Sequence, residues 1–305
     1  MLINRLDNVD INLEDGHKYA LRDISAGENI IKYGNPIGHA TCDIKKGEHV
    51  HTHNVKTNLS GKLEYTYEKA ECYDEKIDTD KTFMGYVRED GQVGIRNDIW
   101  IVNTVGCVNK IAEKLASLTG AKHFPHPFGC SQLGDDQTTT QQILCGMVNH
   151  PNAGGVLVLG LGCENNRMED MQALLADADP ARVRFLSIQD CEDEIDEAKK
   201  LLDELCENMK NDKRVELPVS LLKVGLKCGG SDAYSGVCAN PLVGRVAEKL
   251  YDMGSVCLMS EVPEMFGGEH LLLKRTISQK LFDKAEAMMK RFRSYYARYG
   301  EGVAD

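Results

Sequence analysis

Three of the chain's 9 histidines alternate within GEHVHTHN (47–54), at His49, His51 and His53. On a strand, period two sends all three imidazoles to one face, and neutral imidazole is a common ligand for zinc, iron or nickel. The plainer alternative is a polar strand surface whose histidines only hydrogen-bond. HPFGCSQLGDD (126–136) gathers His126, Cys130, Ser131, Asp135 and Asp136 in one loop. That inventory suits a general base, or a divalent cation held together with a substrate hydroxyl. Asp135 and Asp136 also precede a helical pattern, where capping alone would explain one of them.

KCGGSDAYSG (227–236) is a glycine-rich turn in which Gly229, Gly230, Ser231 and Asp232 follow Lys227. Backbone N–H groups freed by glycine make a cradle for a carboxylate or phosphate, and Lys227 adds charge. No Gly-Lys-Ser/Thr follows as in a Walker loop, and no G-x-G-x-x-G opens a βαβ unit, so nucleotide binding is not expected. SEVPEMFGGEH (260–270) offers Glu261, Glu264, Glu269 and His270 either as hard-cation ligands or as a solvated acidic loop. Cys107, Cys130, Cys163 and Cys228 each follow glycine or an apolar run at a predicted strand end. They are read either as an iron or cluster site gathered from separate loops, or as small residues fitted to crowded turns. The remaining seven cysteines, at 42, 72, 145, 191, 206, 238 and 257, are assigned to packing or surface.

The elements that must carry these groups divide the chain in two styles. Up to about residue 70, DISAGENI (23–30) is echoed by DIKKGEHV (43–50), and each copy reads as a glycine turn entering a strand. A small all-β module is expected there. A polar linker (73–82) follows, and then buried strands near 99–105, 156–161, 183–188, 222–226 and 256–259 alternate with amphipathic helices at 109–118, 136–150, 192–209, 238–254 and 277–300. This pattern predicts an α/β fold with a parallel sheet flanked by helices, whose ligands bind at the carboxyl ends of the strands. The expected domains are 1–72, the linker 73–82, 83–220, and the opening of a third at 221–305.

Composition narrows the class. With 42% hydrophobic and 27% charged residues over 305 positions, the chain is an ordinary folded protein. A net charge of −11 excludes non-specific phosphate-backbone binding, so no nucleic acid is expected. No apolar run reaches the roughly 20 residues of a membrane span, and no signal peptide opens the chain, so a cytoplasmic protein with its 11 cysteines reduced is expected.

FMGYVREDGQVGIRND (83–98), HPFGCSQLGDDQ, GGVLVLGLGCEN, CGGSDAYSGVCANPLVG and SEVPEMFGGEH together resemble the altronate and galactarate dehydratase family of sugar-acid lyases. The GEHVHTHN segment and the β module are similar to that family's SAF-like N-terminal domain. The resemblance runs to about residue 272, and members of the family continue beyond the position where this chain stops. It implies metal-dependent dehydration of an altronate- or galactarate-type sugar acid to a 2-keto-3-deoxy acid. The divalent metal would be Fe2+, with Mn2+ and Zn2+ as alternatives, and His49, His51 and His53 would be its ligands. Catalytic roles fall to His126, Cys130, Asp135 and Asp136. Substrate binding falls to the 227–232 turn and to Arg88 and Arg96, whose guanidinium groups suit a carboxylate. The alternatives are a sulfolactate sulfo-lyase-type activity, or a subunit dependent on a homo-oligomer or a partner that carries the remaining C-terminal portion.

Overall fold

A computed structural model of the chain describes residues 4–12, 14–58, 65–68, 80–229 and 235–300. It divides into two compact units, Met1–Asp78 with Lys223–Asp305, and Thr79–Leu222.

Six short strands build the N-terminal module: β1 (Val9–Ile11), β2 (Lys18–Ala20), β3 (Asn29–Lys32), β4 (Asn35–Ala40), β5 (His49–Val50) and β6 (Val55–Lys56). They pair antiparallel in two sheets of order β1-β2-β5 and β3-β4-β6. Val9, Ala20, Ile24, Ile30, Ala40, Ile44 and Val50 form its core. The sequence echo is an interlock. Ile24 and Ile44 exchange backbone hydrogen bonds of 2.9 and 2.8 Å. Ala26 N–H donates to Asp43 while Lys46 N–H donates to Asp23, both at 2.9 Å. Each copy also closes its own turn, Ser25 N–H onto Glu28 and Lys45 N–H onto Glu48. Both repeated aspartates and both repeated glutamates therefore serve the backbone.

The second unit opens with β7 (Thr82–Val87) and β8 (Val93–Gly94) and continues through β9 (Asp98–Asn103), α1 (Asn109–Thr119), β10 (Lys122–His123), α2 (Gly134–Val148), β11 (Ala153–Gly160), α3 (Met168–Leu174), β12 (Val183–Ser187), α4 (Glu194–Met209) and β13 (Val215–Pro218). Its main sheet is parallel, in the order β10-β9-β11-β12. Period two divides the buried strand residues between two faces. Ile101, Leu157 and Leu159 pack with Leu115 of α1 and Leu202 and Leu205 of α4, whereas Val102, Val156 and Val158 pack with Leu144 of α2 and Met171 of α3. At roughly 1.5–3 kcal/mol per fully buried aliphatic side chain, these two layers dominate the unit's cohesion. The expected α/β core is present. The sequence reading did not anticipate a small antiparallel sheet, β13-β7-β8, which packs beside Pro151 and Asn152 at the amino end of β11.

The first unit resumes with the parallel pair β14 (Lys223–Leu226) and β15 (Val256–Met259), with α5 (Asn240–Asp252) between them, then α6 (Glu269–Leu273) and α7 (Gln279–Arg298). Asn240 is the first residue of α5, and its amide reaches Cys228 Sγ at 3.8 Å. Leu273, Phe282 and Met289 form a small core with Tyr65 and Tyr67 against it. α5 buries no residue: Leu242, Val246 and Tyr251 are exposed, as are Leu258 and Met259 of β15. Among the described residues, no helix is long and apolar enough to cross a membrane.

Candidate functional site

His49, His51 and His53 do come together, but not by strand alternation. Only His49 lies in β5, and a turn follows. Buried Asn54 shapes that turn: its side chain accepts from His51 N–H at 3.0 Å and donates to the His49 carbonyl at 2.9 Å. Ring centroids are then 5.5 Å apart for His49 and His51, and 5.6 Å for His49 and His53. Sequence reasoning missed a fourth imidazole, His17, whose ring is 4.9 Å from His49 and 6.4 Å from His51. The β2–β5 register, with Tyr19 opposite His49, brings it there, and only knowledge of that pairing would have revealed it. Asp15 borders the group, accepting from His17 N–H at 2.9 Å and from the Tyr19 hydroxyl at 2.7 Å.

Burial, and then the neighbouring imidazoles of His17, His51 and His53, push the His49 pKa down, which favours the neutral form that ligates metals. Its Nε2 is buried and lacks a hydrogen-bond partner among the described residues. By donor type the set suits a divalent ion of borderline softness. Among the described residues, however, no three His, Cys, Asp or Glu side chains converge on one metal position.

The repeat supplies an internal comparison. Shifted by twenty, His49, His51 and His53 correspond to Asn29, Ile31 and Tyr33 of the first copy. There Asn8 does the work of Asn54, accepting from Ile31 N–H at 2.7 Å and donating to the Asn29 carbonyl at 2.8 Å. The same pair of asparagine hydrogen bonds forms there without any histidine, although the first copy runs on as strand to Lys32 where the second turns after Val50.

In the second unit, the carboxyl ends of β9, β10 and β11 carry the polar loops. Strand order 10-9-11-12 makes the chain leave β9 toward the α1 face and β11 toward the α3 face, so the topological switch point of the sheet lies between these two ends. Glu164, 4% exposed, accepts there from the Thr104 hydroxyl at 2.6 Å and from the N–H groups of Leu161 at 3.0 Å and Gly162 at 2.6 Å. Burial alone would raise its pKa, but these donors outweigh it and hold the carboxyl below its ordinary value. A depressed carboxylate pKa gives stability that is present above the unfolded value and lost as pH falls through the folded one. Glu164→Gln puts an amide NH2 against backbone N–H donors. It is expected to lower stability at pH 7 by about 1.5–3 kcal/mol and to flatten the acid side of the profile, read from urea midpoints at pH 7 and pH 4.

His126 is committed within this edge. Its Nδ1 accepts from Phe128 N–H at 3.2 Å, which leaves Nε2 as the N–H that donates to the Asn103 carbonyl at 2.9 Å. Asn109 bridges Asn103 and the His126 carbonyl at 2.8 and 2.9 Å. The imidazole thus ties the β10 loop to β9, and neither nitrogen is free to take a substrate proton. Cys130 is exposed beside it. Asp135 and Asp136 are exposed in the first turn of α2, whose cap position is Leu133, so neither carboxylate caps the helix.

The arginines lie at the other end of the sheet. Arg88 is buried, and its guanidinium donates to the Pro151 carbonyl at 2.8 Å and the Arg96 carbonyl at 3.2 Å and pairs with Asp212 at 3.5 Å. It buttresses the amino end of β11, a structural role in place of the expected carboxylate clamp. Exposed Arg96 precedes β9 at the same end. Lys227 pairs with Glu261 at 3.1 Å, while Gly229 ends a described stretch; Gly230, Ser231 and Asp232 lie outside the described residues. Glu269 is not a solvated ligand: it is 1% exposed, pairs with Arg293 and accepts from Gly267 N–H at 2.5 Å.

Comparison with known proteins gives three family matches in chain order: the altronate/galactarate dehydratase SAF domain over residues 4–58, the D-galactarate dehydratase/altronate hydrolase second domain over 85–210, and the D-galactarate/altronate dehydratase C-terminal domain over 219–305. The chain is 46% identical over 303 residues to the altronate dehydratase of Bacillus subtilis (strain 168), covering 96% of this chain and 61% of that protein. It is 42% identical over 313 residues to the altronate dehydratase of Escherichia coli (strain K12), covering 98% of this chain and 63% of that protein. The beta subunit of (2R)-sulfolactate sulfo-lyase from Chromohalobacter salexigens is 31% identical over 222 residues, covering 72% of this chain and 56% of that subunit. The chain therefore spans about three-fifths of the length of these relatives.

Proposed function

This chain belongs to the altronate/galactarate dehydratase family, and we propose that it serves the dehydration of an altronate-type sugar acid to a 2-keto-3-deoxy acid in the cytoplasm. The observation that carries this reading is the identity of 46% and 42% to two altronate dehydratases across almost the whole chain. The metal of this reading, ferrous iron, would draw its donors from His49, His51 and His53 with His17 beside them, rings that stand close together in the structure without converging on one metal position. It would supply charge stabilisation for the carboxylate-adjacent carbanion and for the departing hydroxyl. The chain's own contribution is a His49 ring whose lowered pKa favours the neutral form and whose Nε2 lies without a hydrogen-bond partner among the described residues, at the head of a turn that Asn54 fixes. Incubation of the anaerobically purified chain with ferrous iron and altronate or galactarate is expected to yield a 2-keto-3-deoxy product. No product from either acid, with a full-length relative active in parallel, would reject independent activity.

A second reading is favoured by the exposed apolar residues of α5 and β15, including Leu242 and Tyr251. In it, the chain is one part of an assembly and acts with a partner polypeptide that covers this face. Sulfolactate sulfo-lyase, whose alpha and beta subunits each match parts of this chain, is a relative with that division. Product formed by the isolated monomer would sink this reading.

A further inference from the structure

Cys107, Cys130 and Cys163 follow Gly106, Gly129 and Gly162 at the carboxyl ends of three adjacent strands, β9, β10 and β11. The glycines are explained by packing. A Cβ on Gly106 would meet the His126 carbonyl oxygen at 2.5 Å, one on Gly129 the Thr104 oxygen at 2.1 Å, and one on Gly162 the Gln189 side chain at 2.9 Å. Packing does not explain the cysteines, because all three thiols are exposed and free, although cysteine ranks among the most buried residue types. The fourth glycine- or strand-end thiol, Cys228, follows β14 in a different sheet and is only partly exposed.

The three loops are bonded directly to one another. Gly106 N–H donates to the Phe128 carbonyl at 2.9 Å, Asn166 N–H to the Gly129 carbonyl at 3.1 Å, and Ser131 N–H to the Asn165 side chain at 3.1 Å. This is also the point where the chain leaves β9 and β11 toward opposite faces, the place at which parallel sheets of this kind bind ligands. Asn103 and Asn166, both fully buried at this edge, each keep an amide oxygen without a hydrogen-bond partner among the described residues. The other local donors are taken: Glu164 by three hydrogen bonds and His126 by two.

We propose that Cys107, Cys130 and Cys163 hold a [4Fe–4S] cluster at the carboxyl edge of the central sheet. Two features favour a cluster over a single ion: cysteine thiolate is the usual ligand of such clusters, and the three thiols come from separate loops whose backbones are bonded to one another. Each thiolate of a cluster binds its own iron, so convergence on a point is not required. Three protein ligands would leave one iron of the cluster without a protein donor. The assignment does not rest on the histidine site, which lies in the other unit.

The test is iron and acid-labile sulfide analysis of the 305-residue chain, purified without air and reconstituted with ferrous iron and sulfide. The visible sulfide-to-iron absorption and the electron paramagnetic resonance signal after reduction are recorded on the same samples. About four irons and about four sulfides per chain are expected. Cys107→Ser, Cys130→Ser and Cys163→Ser are each expected to lower retained sulfide by about tenfold or more, with circular dichroism unchanged. Cys206→Ser, which removes another exposed thiol on α4, is expected to retain the full cluster. Iron bound without sulfide, sulfide retained by the triple serine variant, or no uptake of either element would each overturn the assignment. A variant carrying His49→Asn, His51→Ile and His53→Tyr keeps the two metal readings apart, because it is expected to lose only iron not accompanied by sulfide.

Discussion

Gly129→Ala is expected to destabilise the central unit by at least about 4 kcal/mol, lowering its thermal midpoint by on the order of 10 °C. Two causes add. The Gly129 backbone has φ +96°, a conformation that side chains strain to adopt, and the new Cβ would stand 2.1 Å from the Thr104 oxygen and 2.8 Å from Val105 Cα. The obstacle is backbone and is itself held, since Thr104 N–H donates to the Leu159 carbonyl at 2.9 Å and the Thr104 carbonyl accepts from the Asn166 amide at 3.0 Å. Gly146→Ala is the matching control. Its Cβ meets nothing within 4 Å inside α2, and the variant is expected to gain roughly 0.5–1 kcal/mol. Equal midpoints for the two variants in differential scanning calorimetry would refute the interlocked-loop account.

Replacing His49, His51 and His53 by Asn, Ile and Tyr, their counterparts in the first repeat, is expected to remove ferrous-iron affinity by about 100-fold or more while shifting stability by less than about 1 kcal/mol. The asymmetry follows from the paired turns. Asn8 and Asn54 make equivalent hydrogen bonds to the two copies, so those bonds at 49–54 do not depend on imidazole. Iron titration under anaerobic conditions, set beside a urea melt, separates the two effects. Unchanged iron binding with an intact fold would leave the histidines a purely surface role. His51→Ala alone is expected to weaken binding of that ion more than Cys130→Ala, because the thiol lies in the other unit.

Much of this architecture was readable because it rests on period. The buried runs at 156–161 and 183–188 became β11 and β12; β12 ends one residue earlier than expected, whereas β11 begins three residues earlier because Gly154 and Gly155 lie inside the strand instead of bounding it. β7, β8 and β13 escaped because a strand's partner is not local information: Val215–Pro218 pairs with Thr82–Val87 across more than a hundred residues. The same limit hid His17. For Arg88, residue type misled, because a guanidinium that could clamp a substrate carboxylate is equally suited to two carbonyls and an aspartate at a sheet edge. His126 was found as a polar residue in the right loop, but its commitment to the Asn103 carbonyl and Phe128 N–H exists only once β9 and β10 are side by side.

The discontinuity of the first unit fixes an order of events during synthesis. The central unit, Thr79–Leu222, is contiguous and can close as soon as its last strand clears the ribosome, whereas its neighbour is made of segments that flank it on either side. The β module can form early from its own two repeats. Tyr65 and Tyr67, however, must wait for Leu273 and Phe282, whose codons are read after the whole central unit has been translated. A nascent chain paused near residue 222 therefore carries a finished middle and an unfinished beginning, with two tyrosines in search of partners not yet made.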